Sequence, residues 1–287
     1  MRRVAVFGIA GFSGKHFERF VAGAGLTDEF QFFGFAKDLN GVVRSGAFSY
    51  REGNACAESE VLSFVSEVQP AYVLNLIGIF RANTFEELFA VNVGVSRTIC
   101  EAVRRSNSPV QKLVFVGSAA EYGCPAINPV REDTKPRPVS QYGLTKVYQT
   151  LLAGFYLENY GLPAVVARTF NILGEGLSPD LSIGNFMRQI EELGDGGVLK
   201  VGNLSTSRDF LHISEVSRRY WHLLMKGEPG EIYNLCSGVP QTVRSILEGL
   251  IRDSGKRIAI ETDPTLFKEK DIDSIYGDTS KYDQLVP

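Results

Sequence analysis

Short apolar runs alternate with longer segments of helical periodicity through residues 1–170, and this alternation constrains the fold more than any other feature. The runs occupy residues 4–7, 31–35, 72–76, 113–116 and 164–167 and lack regular polar alternation, as is typical of parallel strands covered on both faces. Between them, apolar residues recur at helical spacing, at Leu88, Val91, Val95, Ile99 and Val103 and at Leu144, Tyr148, Leu151, Leu152 and Phe155. The pattern predicts an α/β fold with a doubly wound parallel sheet of the Rossmann type.

The pattern loosens after Asn171, where glycine-rich and polar stretches occupy residues 173–183 and 194–202. A chain of 287 residues has room for one large domain or two modest ones, at about 150 residues each. We therefore predict a first domain over residues 1–170 and a smaller second domain over residues 171–287, with segments of the second returning to the first.

Charge and cysteine usage exclude several classes of function. The chain has 30 Lys and Arg against 33 Asp and Glu, a formal net charge of −3, so it lacks a basic footprint for nucleic acid or an anionic membrane. No apolar run approaches the roughly 18 residues that a membrane span needs. The four cysteines and three histidines lie far apart and give no metal-ligand or redox spacing. We expect a cytoplasmic protein without nucleic-acid, membrane or metal partners.

A glycine-rich turn follows the first apolar run. Gly8, Gly11 and Gly14 enclose Phe12 and Ser13, and a segment of helical periodicity follows at once. Such a turn lets backbone N–H groups approach a pyrophosphate, and the helix N-terminus adds a favourable partial charge. The spacing is G-x-x-G-x-x-G rather than the more common G-x-G-x-x-G. The turn predicts dinucleotide binding, and a tight turn without a ligand is the alternative.

The end of the second strand bears on the cofactor. An acidic residue there grips the ribose of NAD, whereas a basic neighbour accommodates the 2′-phosphate of NADP. Here Ala36 and Lys37 occupy the position and Asp38 comes slightly late. This favours NADP(H) and leaves NAD(H) open, and a solvated Lys37 without a cofactor role is the alternative.

Tyr142 and Lys146 stand four residues apart, on one face of a predicted helix. A cation near a phenol lowers its pKa from about 10, which suits a proton donor to a developing alkoxide. Ser118 closely follows the fourth apolar run, so it is expected at the carboxyl edge of the sheet, where open α/β folds bind ligands. From there its hydroxyl would hydrogen-bond the same reacting oxygen.

Together these features resemble the extended short-chain dehydrogenases/reductases that act on nucleotide sugars. The resemblance covers nearly the whole chain and rests on the glycine turn, Asn92, Ser118, Tyr142, Lys146 and the segment 168–171 (Arg-Thr-Phe-Asn). Residues 201–204, 207–210 and 232–238 are most similar to the GDP-4-keto-6-deoxy-D-mannose reductases and their GDP-mannose dehydratase relatives.

The resemblance implies an NAD(P)-binding first domain, a substrate-binding second domain and a nucleotide-sugar substrate. It implies a homodimer that pairs through the helices near residues 85–106 and 141–160. Its catalytic residues would be Ser118, Tyr142 and Lys146. Its cofactor-binding residues would be Gly8, Gly11, Phe12, Ser13, Gly14, Ala36, Lys37, Asn54, Leu76, Ile77, Gly78, Asn92, Tyr142, Lys146 and Phe170. Its substrate-binding residues would be Ser118, Ala119, Asn171, Val201, Arg208, Lys268 and Asp271.

Three positions keep alternatives open. Arg208 would meet the diphosphate of the substrate or pair with Asp209 or another local acid. Asn75 replaces a more usual His beside the cofactor and has a structural role as the alternative. Lys268 and the residues after it replace a more usual Arg-Pro, which leaves the nucleotide base open.

Ala120 bears on the reaction. The 4,6-dehydratases of the resembled family carry a Glu at this position, which takes the C5 proton, and an alanine cannot accept one. Glu121 would point to the opposite side if the local backbone is extended. The expected reaction is therefore hydride transfer to a 4-keto carbon, with an epimerase, a 4,6-dehydratase or a non-catalytic cofactor-binding protein as alternatives.

Overall fold

The computed structural model describes residues 1–267 and 272–286. The strands, in chain order, are β1 (Arg2–Phe7), β2 (Phe30–Ala36), β3 (Phe48–Glu52), β4 (Tyr72–Asn75), β5 (Lys112–Ser118), β6 (Ala164–Thr169), β7 (Asn171–Leu173), β8 (Val198–Val201), β9 (Ser207–His212), β10 (Ile232–Leu235), β11 (Pro240–Thr242), β12 (Ala259–Thr262) and β13 (Ser274–Ile275). The α-helices are α1 (Phe12–Gly23), α2 (Glu58–Val68), α3 (Phe85–Phe89), α4 (Val95–Ser106), α5 (Gln141–Tyr160), α6 (Ser182–Glu192), α7 (Ile213–Lys226), α8 (Val243–Asp253) and α9 (Ser280–Leu285).

The main sheet has seven parallel strands in the order β10-β6-β5-β4-β1-β2-β3. The predicted doubly wound parallel sheet is thus confirmed, and each predicted apolar run is one of its strands. The chain order reverses at β1, which pairs with β2 on one side and β4 on the other. Open α/β sheets bind ligands at this kind of switch point, beyond the carboxyl ends of the strands.

Both faces of the main sheet are buried, which explains why the predicted strands lack polar alternation. In β1, Val4 and Val6 point into one hydrophobic cluster, shared with α1 and α7. Ala5 and Phe7 point into the other cluster, which is shared with α2, α4 and α5. Each large apolar side chain buried in this way contributes about 1.5–3 kcal/mol relative to exposure.

Two strands of the main sheet, β3 and β10, were not predicted from the sequence. β3 carries the sequence FSYRE and lies at an edge, where only Phe48 is buried. β10 has four residues and belongs to the C-terminal part of the chain, which returns here to the main sheet.

Smaller sheets lie beyond β6. β9 pairs with β7, β11 and β13, and β8 pairs with β12. Helices α6 and α8 bury a third hydrophobic cluster that includes Phe186, Leu199 and Leu247. Because β7 begins two residues after β6 ends, β9 is held next to the carboxyl edge of the main sheet. None of the helices in the described part of the chain has the length and apolarity to cross a membrane.

The predicted helices at 85–106 and 141–160 are present, but α5 buries a different face from the one its apolar spacing suggested. Thr145, Lys146 and Gln149 are buried, whereas Tyr148 and Leu151 are exposed. The helix therefore turns polar side chains toward the sheet and leaves an apolar face outside.

Candidate active site

A cleft of about 710 Å³ opens at the carboxyl edge of the main sheet, between the glycine turn and the smaller sheets. The predicted site residues that line it are Gly8, Gly11, Phe12, Ser13, Gly14, Leu76, Gly78, Ser118, Tyr142, Lys146, Phe170, Asn171, Val201 and Arg208. The switch point of the sheet thus brings together residues from seven separate segments of the chain.

The glycine turn is shaped so that no side chain fits inside it. A Cβ on Gly14 would lie 2.3 Å from the Gly8 oxygen and 2.4 Å from the Ile9 oxygen, both backbone atoms. Gly8 has a φ of +85°, which glycine adopts without strain. Gly11 is the N-cap of α1, where no side chain caps the helix and no acidic residue lies in the first turn. The turn fits a pyrophosphate because the first backbone amides of α1 are available to it.

Ser118 ends β5 and starts a 3₁₀ turn, Ala119–Glu121. Its Oγ accepts a hydrogen bond from the Ala120 amide at 3.2 Å, and its hydroxyl acts to lower the pKa of the Tyr142 phenol. A Cβ on Gly143 would lie 2.4 Å from the Ala120 oxygen, so glycine there lets α5 approach this turn closely. The seryl hydroxyl and the phenol consequently meet in the cleft.

Lys146 lies one helical turn after Tyr142. Its Nζ donates to the Val116 oxygen at 2.9 Å and to Gln149 Oε1 at 3.0 Å, and it lies 5.8 Å from the centre of the Tyr142 ring. A Cβ on Gly78 would lie 3.1 Å from Nζ, so the loop after β4 closes over the ammonium group. Hydrogen bonds to fixed acceptors hold this side chain in a single place.

The pKa values of the two groups move in directions set mainly by burial. Burial raises the pKa of the Tyr142 phenol, and its hydrogen bond with Ser118 opposes that shift. Burial lowers the pKa of Lys146 to about 8, and the charge of Glu121 opposes that shift. The expectation of a lowered pKa for Tyr142 is therefore wrong: the pKa is raised, because burial outweighs every contact that favours the phenolate. At neutral pH the phenol is protonated and able to donate a proton.

Asn92 is buried and acts as a clamp on the loop after β4. Its Nδ2 donates to the Ile79 oxygen and to Thr145 Oγ1, both at 2.9 Å, and its Oδ1 accepts from the Ile79 amide at 2.9 Å. It belongs to a π-helical segment, Ala90–Gly94, between α3 and α4. The residue thus ties the loop that covers Lys146 to α5.

The cleft carries cationic side chains. Lys146, Lys200 and Arg208 line it, and no Asp or Glu does so among the described residues. Arg208 donates to the Ser207 and Ile272 oxygens. The local environment attracts an anionic ligand such as a phosphate.

The alternative of an Arg208–Asp209 ion pair is not realised, because alternation along β9 sends the two side chains to opposite faces. Asp209 is buried and accepts from the Ser237 amide at 2.6 Å and the Gly238 amide at 2.9 Å. Its main-chain oxygen accepts from Asn171 Nδ2 at 3.1 Å, which fixes a second cleft residue.

Comparison with known proteins identifies the family. The family model described as the NAD dependent epimerase/dehydratase family matches residues 4–236. The chain belongs to this family. The GDP-6-deoxy-D-mannose reductase of Pseudomonas aeruginosa is 31% identical over 169 residues, which are 57% of this chain and 56% of that protein. The dTDP-D-glucose 4,6-dehydratase of Mus musculus is 24% identical over 233 residues, which are 78% of this chain and 63% of that protein.

The chain thus spans less than two thirds of the length of both curated relatives. A solved structure described as RMD from Pseudomonas aeruginosa complexed with NADPH has a TM-score of 0.83 at 23% identity, covering 99% of this chain and 92% of that one, and it supports the fold. The family is NAD(P)-dependent and comprises nucleotide-sugar epimerases, dehydratases and reductases. Family membership therefore leaves the specific reaction to be argued from the site.

Several predicted residues of this epimerase/dehydratase-family chain do not line the cleft. They are Ala36, Lys37, Asn54, Ile77, Asn92 and Ala119. Lys37 and Asn54 are exposed at the ends of β2 and β3, and Ala119 is buried in a small cluster with Tyr122. Lys268 and Asp271 lie outside the described residues.

Asn75 has the structural role. It is fully buried, its Nδ2 donates to Ser96 Oγ at 3.2 Å, and its Oδ1 accepts from the Ile77 amide at 3.1 Å. Ser96 in turn accepts from Gln149, the partner of Lys146. Asn75 therefore belongs to the buried network that carries the lysine and does not line the cleft.

Sequence reasoning missed Tyr220 and Lys200, which also line the cleft. Tyr220 lies on α7, is fully buried, and its hydroxyl is 3.2 Å from Thr169 Oγ1. Helical periodicity signals only that Tyr220 faces the sheet, since it recurs with Val216 and Leu223. No spacing in the sequence marks it as a cleft residue.

The condition under which Glu121 would point to the opposite side, an extended backbone after Ser118, is not met. Residues 119–121 form a 3₁₀ turn, which brings Glu121 back under Ser118 instead of across the strand. Glu121 is fully buried and does not line the cleft, so it is no substitute for the carboxylate that Ala120 lacks.

Proposed function

We propose that this protein reduces the 4-keto group of a nucleotide-activated 4-keto-6-deoxyhexose, GDP-linked in its natural substrate, at the expense of NADPH. The observation that carries the proposal is the meeting of Ser118, Tyr142 and Lys146 in a cleft that begins at the glycine turn and has cationic walls. Residues 1–170 would hold the cofactor, and residues 171–287 would supply most contacts to the substrate.

The roles follow from the contacts. The glycine turn would hold the pyrophosphate of the cofactor, whose reduced nicotinamide would supply the hydride. Tyr142 donates a proton to the oxygen at C4, a step for which its buried phenol is already protonated. Ser118 hydrogen-bonds that oxygen, and Lys146 supplies a fixed positive charge beside it. The guanidinium of Arg208 suits the diphosphate because it donates in a planar fork.

No Asp or Glu of the described residues lines the cleft, and this argues against dehydration. Ala120 has no proton acceptor, and Glu121 is engaged beneath Ser118. An epimerase uses the same Ser, Tyr and Lys but must first remove a proton from the sugar hydroxyl. A phenol whose pKa is raised by burial favours the reductive direction over that first step.

NADPH is preferred over NADH in this proposal because the acidic residue expected for NAD is absent from the end of β2, where Ala36 and the exposed Lys37 stand. The similar protein RMD from Pseudomonas aeruginosa was also solved in complex with NADPH. Comparison of the turnover rates with the two reduced cofactors tests this preference.

We also propose a homodimer that pairs through α5 and the helical segment 85–106. The exposed apolar side chains on these helices are Phe89, Tyr148, Leu151, Phe155 and Tyr160. Phe89 and Tyr148 are in edge contact, with ring centres 5.6 Å apart, so they form one continuous surface. Exposed apolar surfaces of this kind are typical of interfaces.

Two parallel assays test the function. In one, GDP-mannose is offered with the oxidised cofactor, and in the other its 4-keto-6-deoxy product is offered with NADPH or NADH. Oxidation of the reduced cofactor in the second assay alone is the expected result. Rapid formation of a keto sugar from GDP-mannose would contradict the proposed reduction and indicate a dehydratase instead.

A further inference from the structure

Glu121 is a buried carboxylate in direct contact with the strand that carries Ser118. Its Oε1 accepts from the Ser118 amide at 2.9 Å. Its Oε2 accepts from Arg168 Nε at 2.9 Å and from Thr150 Oγ1 at 2.8 Å. Glu121 is 0% exposed and Arg168 is 2% exposed, so the pair is shielded from water.

The same carboxylate lies between the anchoring points of the catalytic groups. A Cβ on Gly117 would lie 2.6 Å from Glu121 Oε1, so the carboxylate occupies the space beside that glycine. Gly117 separates Ser118 from Val116, whose oxygen accepts the hydrogen bond of Lys146. Thr150, which donates to the carboxylate, lies one helical turn after Lys146 on α5. Glu121 therefore connects β5 and α5 where all three catalytic residues are anchored.

The charged and titratable groups around this carboxylate come from four elements. Arg168 of β6 pairs with it, and the guanidinium lies 4.7 Å from the centre of the Tyr122 ring. The Arg168 guanidinium also donates to the Glu132 main-chain oxygen at 3.3 Å. The charge of Glu121 acts on the pKa of Tyr142 and Lys146 of α5, and Tyr142 in turn acts on the pKa of Tyr220 of α7.

We propose that Glu121 is a positioning residue of this active site, which fixes Ser118 through its amide and sets the electrostatic environment of Tyr142 and Lys146. The inference rests on the proposed function for the roles of those three residues. The two effects share one origin, because a single buried negative charge anchors the strand and acts on the groups beside it.

The direction of the electrostatic effect is fixed by the sign of the charge. A buried anion disfavours the phenolate and favours the ammonium, so Glu121 raises the pKa of both Tyr142 and Lys146. Replacing Glu121 by Gln removes the negative charge and keeps the shape and one of the two acceptor oxygens, which can still accept from the Ser118 amide. The pKa of both groups should then fall, and the positive charge left on Arg168 acts in the same direction.

The titration of Tyr142 is the readout, because a structural role alone would not move it. We would follow ultraviolet phenolate absorbance across the alkaline range for the full-length protein and subtract the curve of the same protein with Tyr142→Phe. The expected midpoint for Glu121→Gln is lower than that of the unaltered protein, because the negative charge that raises the pKa of Tyr142 is gone. An unchanged or raised midpoint in folded protein would overturn the proposal.

Two further variants keep the test decisive. Thr150→Val removes one hydrogen bond to the Glu121 carboxylate but leaves the charge of the carboxylate in place. The midpoint of Tyr142 in this control should therefore match that of the unaltered protein. A drop in midpoint as large as that of Glu121→Gln would contradict the electrostatic account. If Glu121→Gln does not fold, Glu121→Gln with Arg168→Met removes the whole ion pair. Loss of the Arg168 charge then opposes part of the effect, so the midpoint should still fall, but by less than loss of the Glu121 charge alone would give. Such paired replacement of a buried ion pair is often tolerated.

The titration needs no substrate, so it is independent of the proposed reaction. If the unaltered protein reduces the keto sugar, the alkaline limit of turnover should also move to lower pH in Glu121→Gln, because the reaction needs a protonated Tyr142. If it does not reduce the keto sugar, the proposed function fails and the titration alone decides the role of Glu121.

Discussion

Gly14→Ala should abolish most cofactor binding while a similar substitution nine residues later does not. The added Cβ would lie 2.3 Å from the Gly8 oxygen and 2.4 Å from the Ile9 oxygen. Ordinary contact of a Cβ begins near 3.4 Å, so the turn must open by about 1 Å. The opposing atoms are backbone atoms of the turn itself, and they cannot move aside as a flexible side chain does.

The magnitude follows from overpacking and from the loss of the binding geometry. Forcing one methyl group into a filled space costs about 1–3 kcal/mol of the free energy of unfolding. The displaced amides are those at which we place the pyrophosphate, so cofactor affinity should fall by at least about tenfold, which corresponds to 1.4 kcal/mol.

Gly23→Ala is the matched control. Gly23 lies in the last turn of the same helix, and no atom lies within 4 Å of the position of its added Cβ. Alanine is favoured over glycine inside a helix by roughly 0.5–1 kcal/mol, so this variant should be as stable as the unaltered protein or more so. Chemical denaturation and titration with NADPH, followed by its fluorescence, measure both quantities. Normal NADPH affinity in Gly14→Ala would refute the assignment of the turn.

The remaining predictions concern the catalytic residues and the apolar face. Tyr142→Phe should keep cofactor affinity and lose about 10²–10⁴-fold in turnover, measured by steady-state kinetics, because only the proton donor is removed; near-normal turnover would contradict the role. Burial lowers the pKa of Lys146 to about 8, so between about pH 8 and the ordinary lysine pKa this side chain is protonated in the unfolded chain and neutral in the folded one. The free energy of unfolding, relative to that of Lys146→Met, should therefore rise with pH over that window, by at most about 3 kcal/mol. A flat difference in denaturation free energy would show that the ammonium is not desolvated. Leu151→Glu places a charge on a side chain that is 63% exposed in the single chain, so light scattering should report dimers for the unaltered protein and monomers for the variant; a monomeric unaltered protein would end the dimer proposal.

The sequence predicted the sheet well because the physical cause is local. Strands covered on both faces need apolar residues at successive positions, and Val4, Ala5, Val6 and Phe7 meet that need directly. Edge strand β3 did not show this pattern, since an edge needs less apolar cover and its last residues are polar. The approach of Ser118 to Tyr142 was also predictable. Ser118 lies at the carboxyl end of β5, and Tyr142 lies at the start of α5, the helix that returns from the same edge of the sheet.

The surroundings of the catalytic residues were less predictable because they depend on contacts between distant segments. Glu121 turns under Ser118 only because Arg168 and Thr150 meet it there, across 47 and 29 residues of sequence. Burial of Lys146 and Gln149 on α5 depends likewise on acceptors in β5 and α4. Lys37 was assigned by its position after the second strand and Asn54 by the family resemblance, and neither says how far the cleft extends.

Transfer of deuterium from the cofactor to the sugar tests the central claim most directly. The protein would be given NADPH labelled with deuterium at the transferable position and a GDP-linked 4-keto-6-deoxyhexose, and the product would be analysed by mass spectrometry and NMR. The proposed reaction predicts one deuterium per sugar, located at C4, with one cofactor oxidised for each product formed. A product without the label, or conversion of the sugar without net oxidation of the cofactor, would contradict it.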